Sequence, residues 1–195
     1  MAHTLKPFRD YSEHDVINLF AFDGSVNNGV VAEKGTVVKV KGNGFQPVAV
    51  GVNGTTPVDA NGSVGQEYLN AVADRWVVGP KVEAAVSGDE GKAIGITLLS
   101  VREHDENGEK LIFNPRKAAE MNVVVSGQAV PVLTRGVIVY SGDGMGSSAN
   151  PGDGVYLSAT VGDLTTSQGN RTSSQRVGTL LSKPVGGVAT IKINF

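Results

Sequence analysis

Apolar residues in this chain come in short runs with a period near two, and glycine-rich turns separate the runs. The last seven residues show the pattern: Ala189, Ile191, Ile193 and Phe195 alternate with Thr190, Lys192 and Asn194. Alternation of this kind gives a strand one buried face and one wet face. It predicts strands over 35–40, 81–86, 92–102, 123–125, 129–133, 136–140, 154–159, 177–181 and 189–195. A further strand is expected over 45–52, joined to the first by a tight Asn43-Gly44 turn. Residues 111–113 read as a returning strand after a charged turn around Asn107-Gly108. Residues 67–78 fit either a short helix or a strand. Many short, evenly spaced strands favour a single all-β barrel or sandwich-like domain.

A helix start is expected at Asn114-Pro115. Asn114 is suited to accept from free first-turn amides, and Pro115 has no amide to leave unpaired. The helix is one or two turns long, and Asn122 is placed to close it. Residues 1–22 differ from the rest. They hold no glycine, and Phe8, Tyr11, Phe20 and Phe22 sit among mixed charges. This leader is either a first element packed on the chain's own core or an extended N-terminal arm that docks on a neighbour, with residues 23–195 as the β-rich domain. On the arm reading, Leu5, Phe8, Tyr11 and Phe20 make the contacts.

The strand pattern also echoes internally. Gly95-Ile96-Thr97-Leu98-Leu99-Ser100 resembles Gly178-Thr179-Leu180-Leu181-Ser182. Each follows an upstream strand opened by a glycine turn, at Lys34-Gly35 and at Gly152-Asp153-Gly154. Two similar half-barrels and coincidence in a Gly/Val/Leu-rich chain are both open at this point.

Composition narrows the function classes. Twenty-six of 195 residues are glycine, against a usual share of about 7%. Charged residues make up 18% and the net charge is -2. A nucleic-acid binder needs Lys and Arg gathered on one face, so none is expected. There is no cysteine, which removes disulfide scaffolds, zinc ribbons and thiol nucleophiles. No apolar stretch reaches the roughly 20 residues of a membrane span, and the first residues lack the apolar core of a signal peptide.

Candidate chemistry is thin. Gly142-Asp143-Gly144-Met145-Gly146 follows a strand, but a phosphate cradle needs a helix next, and Ser147 to Gly152 reads as more loop. Glu103, His104, Asp105, Glu106 and Glu109 surround a turn and read as a solvated loop rather than a metal site. No Ser-centred nucleophile elbow occurs. No catalytic residue, metal or cofactor is expected.

Residues 113–140, 151–166 and 175–187 carry a resemblance to a known family. A glycine-marked strand pair around Gly152-Asp153-Gly154-Val155-Tyr156 precedes the Val177-Gly178-Thr179-Leu180-Leu181 strand. In this order the chain resembles the head decoration, or cement, proteins of tailed bacteriophages, over about residues 92–195. The resemblance implies a β-barrel or related β-fold and no catalytic or cofactor residues. It implies a homotrimer or dimer on the outer surface of an icosahedral capsid. There it would bridge major capsid protein subunits and stabilise the head against internal DNA pressure. Its rivals are a tail or baseplate β-domain and a carbohydrate-binding β-sandwich module; the latter would use loops such as 141–153 and would lose glycan binding on substitution of Trp76 or Tyr140.

Overall fold

The computed structural model describes residues 4–7, 12, 15–41, 81–169 and 175–195. The expected Asn43-Gly44 turn, the strand at 45–52 and the segment 67–78 with Trp76 lie outside the described residues.

The fold is all-β, with curled sheets of barrel-like form. In chain order the first strands are β1 (Thr4–Pro7), β2 (Val16–Ile17), β3 (Ala21–Phe22), β4 (Val30–Ala32) and β5 (Val37–Val40). Next come β6 (Lys81–Ala84), β7 (Ala93–Thr97), β8 (Ser100–Arg102), β9 (Val123–Val125) and β10 (Val132–Leu133). The last are β11 (Arg135–Ser141), β12 (Gly154–Leu157), β13 (Leu164–Thr165), β14 (Gly178–Leu180) and β15 (Val188–Asn194). A 3-10 turn (Leu111–Phe113) and the helix α1 (Pro115–Glu120) lie between β8 and β9.

Two sheets share one wiring. The first runs β2-β10-β7-β5-β6 and the second β11-β15-β14-β12-β13, with every neighbouring pair antiparallel. The register matches as well. Val38 of β5 lies opposite Gly95, and Val155 of β12 lies opposite Gly178. The Gly35 amide donates to the Thr97 carbonyl at 2.8 Å, and the Gly152 amide to the Leu180 carbonyl at 2.8 Å. Both turn glycines have positive φ, 92° and 97°, which a side chain would strain. The sequence echo therefore falls on equivalent strands of two half-barrels. Each sheet also curls back on its own first segment. Phe20 O accepts from Val130 N while Asp23 N donates to Val82 O; in the second half, Gly144 O accepts from Thr166 N.

The two sheets enclose a common core. Val37, Ile96 and Leu133 come from one side, and Ile138, Tyr140, Leu157, Leu180, Ile191 and Ile193 from the other. The opposite face of the first sheet buries Val38, Val82, Val130 and Val132, together with Val101 and Val124 from a third sheet, β4-β8-β9. Burial on both faces explains why β5 opens with two adjacent valines.

The leader joins these sheets. β1 pairs antiparallel with β11, setting Leu5 opposite Tyr140, and β2 and β3 are strands of the first sheet. At the end of the leader, β3 pairs parallel with β6, setting Phe22 opposite Val82. Residues 111–113 form a 3-10 turn rather than a strand. The helix follows at Pro115 as expected, but the Asn114 side chain makes no capping hydrogen bond; its carbonyl takes the Ala118 amide at 3.1 Å. Asn122 ends the helix with a φ of 53°.

Candidate interface

Leu5 is wholly buried and packs with Ile138, Tyr140 and Ile191 in the chain's own core. Phe20 is half-buried against the second cluster, around Phe22 and Val130. Phe8 and Tyr11 lie outside the described residues. Of the four arm residues, the two that are described, Leu5 and Phe20, thus pack against different clusters.

The ionisable groups mostly tie the fold to itself. Tyr140 donates its hydroxyl to Asp163 Oδ1 at 2.9 Å and accepts the Leu164 amide at 3.2 Å, linking β11 to β13. Burial, and then the Asp163 carboxylate beside it, push the Tyr140 hydroxyl far up, so it stays a proton donor. A fully buried Tyr140 offers no ring face to a sugar. Lys39 reaches Asp89 at 2.8 Å and Glu83 at 3.3 Å across β5 and β6. Burial pushes the Asp89 carboxyl up, but the Lys39 ammonium and the Val86 amide outweigh it and hold it below its ordinary value.

Asp105 is not the solvated turn residue that its neighbours imply. Its side chain is buried and paired with Lys117 of α1. Its Oδ1 accepts the Asn107 amide at 2.8 Å and the Glu109 amide at 2.7 Å, which shapes the turn. The Lys117 ammonium draws the Asp105 carboxyl below its ordinary value; burial works against this, and the two amides add to it. A depressed folded value means the pair stabilises the fold above the ordinary carboxylate pKa of about 4. That contribution fades as pH falls through the lower folded value. Denaturant unfolding at pH 7 and pH 3 should therefore show Asp105→Asn less stable than the wild type at pH 7, with the gap narrowing at pH 3.

Among the described residues, no group of three or more His, Asp or Glu side chains is placed to hold a metal ion. No helix among them is long and apolar enough to cross a membrane. The Gly142–Gly146 loop is anchored, with Met145 buried in the core and the Gly144 carbonyl on the Thr166 amide. It leads into turns and not into a helix.

The surface does expose large apolar side chains. Phe113 is 78% exposed and Ile112 57%, side by side on the 3-10 turn. Val185 is 76% exposed on the hairpin between β14 and β15, flanked by exposed Leu181 and Val188. The arm-centred reading missed both tips. A signal existed for the first: Leu111, Ile112 and Phe113 are consecutive, and three neighbours cannot all face inward on a short turn. Only Leu111 does. The chain matches no family model, no curated protein and no solved structure.

Proposed function

We propose that this chain is a structural, non-enzymatic virion protein that decorates the outer capsid surface, bridges major capsid protein subunits and stabilises the head. It acts as a homo-oligomer, with a trimer favoured over a dimer, and needs no cofactor, metal, nucleic acid or membrane. The resemblance over residues 92–195 supports this reading, and so does an all-β fold whose described ion pairs serve turns and strand pairing. The observation that carries it most is the pair of apolar tips, Phe113 with Ile112 and Val185 with its neighbours, exposed on turns between strands. Exposed apolar groups on loops positioned by a β-scaffold suit docking against another protein surface. Weak contacts of this kind gain strength when an oligomer makes several at once.

A tail or baseplate role shares this composition and differs in what the protein assembles on. The sugar-binding alternative loses Tyr140 to the core. Light scattering gives the oligomer mass, and rebinding to stripped phage heads tests the assignment. A trimer or dimer that rebinds is expected; a monomer that ignores the heads would overturn it.

A further inference from the structure

Two Asn-Gly steps lie among the described residues, Asn28-Gly29 and Asn107-Gly108. Such a step is chemically labile. Glycine has no Cβ, so the asparagine side chain can reach the amide nitrogen that follows it. That nitrogen, once deprotonated, bonds to the asparagine Cγ. The bond from Cγ to the side-chain nitrogen breaks and ammonia leaves, which gives a five-membered succinimide. Water then opens the ring at either carbonyl, to aspartate or to isoaspartate. One neutral amide and one water thus become one carboxylate and one ammonium ion. The glycine nitrogen must swing towards the side chain before the ring can close, so the surrounding backbone sets the rate.

The two steps differ in that respect. Asn28 and Gly29 take positive φ, 48° and 77°, at the tip of a tight turn. Asn27 and Val30 close the turn, each donating its amide to the other's carbonyl, at 2.8 and 2.9 Å. Gly29 is buried, and its carbonyl accepts the Glu103 amide at 2.8 Å. A Cβ added there would lie 3.0 Å from the His104 carbonyl oxygen. Moving Gly29 would therefore break the contact between this turn and the segment after β8.

Asn107 and Gly108 are both exposed, and a Cβ added to Gly108 would meet nothing within 4 Å. The Gly108 amide makes one long hydrogen bond, to the Asp105 carbonyl at 3.3 Å. Asp105 Oδ1 holds the Asn107 amide at 2.8 Å and the Glu109 amide at 2.7 Å. The turn is pinned on either side of the 107–108 peptide bond, and the bond itself is open to water.

We infer that Asn107 is a site of spontaneous deamidation in the folded protein and that the fold protects Asn28. The reaction needs water alone and is independent of what the protein assembles on. Isoaspartate at residue 107 adds a backbone carbon between the two amides that Asp105 grips, and it sets a new carboxylate beside Glu106. Both changes loosen the turn that Asp105 and Lys117 tie to α1.

The test incubates the folded protein in mildly alkaline buffer, beside a sample in urea, and follows both sites by peptide mapping with mass spectrometry. In the folded protein, conversion at residue 107 should run about tenfold or more ahead of conversion at residue 28, where ring closure must wait for the turn to open locally. In urea the two rates should approach each other. Equal rates at the two sites in the folded protein, or an Asn107 that stays intact there, would overturn the assignment.

Discussion

Gly95→Ala should destabilise the protein by about 3 kcal/mol, the upper part of the range for overpacked cores. A Cβ at residue 95 would lie 2.4 Å from the Leu133 carbonyl oxygen and 2.6 Å from Val132 Cγ1. The oxygen belongs to the backbone of β10, so no side-chain rotation relieves the clash; β7 and β10 must move apart. Ile96 and Leu133, both fully buried on these strands, would lose packing with them. The equivalent change in the other half, Gly178→Ala, meets the Lys192 carbonyl at 2.7 Å and should cost less but act in the same direction. Gly91→Ala is the control. It has open space within 4 Å and no positive φ, so its effect should stay within about 0.5 kcal/mol. Urea unfolding of the three variants checks the order. Equal stability of the Gly95 and Gly91 variants would mean that the two strands do not approach as described.

Leu5→Ala should cost the isolated protein about 3 kcal/mol. Leu5 is wholly buried among Ile138, Tyr140 and Ile191, and deleting a buried leucine side chain removes transfer energy and leaves a cavity. A leader that served only as a docking arm would behave differently: the same change would leave the melting curve of the free protein unmoved and weaken binding alone. Thermal unfolding of the purified variant therefore decides which of the two roles these first residues have.

The strands were largely legible because their code is local. Alternation marks β15, and the glycine turns at Gly35 and Gly152 mark where equivalent strands begin. The helix was legible from Asn114-Pro115, although the Asn114 side chain plays no part in it. What escaped depends on contacts far apart in the chain. β1 finds its partner in β11, more than a hundred residues on, and nothing in residues 4–7 names that partner. Asp105 looked solvated because its neighbours are charged; its burial depends on Lys117, brought over it by α1. The 3-10 turn was hidden for a related reason. Leu111, Ile112 and Phe113 carry strand-like propensities, and the hydrogen bonds that follow them, Asn114 N to Leu111 O, override these.

The candidate interface was the least legible part. Apolar residues are ordinarily read as core, and only a folded structure separates Leu111, which is buried, from Phe113, which is not.

Co-sedimentation of the purified protein with phage heads that lack it tests the proposed decorating role most directly. The prediction is saturable binding, with a plateau fixed by the number of equivalent capsid sites and no uptake once those sites are filled. Protein that stays in the supernatant at every concentration, beside heads shown to be intact, would contradict it.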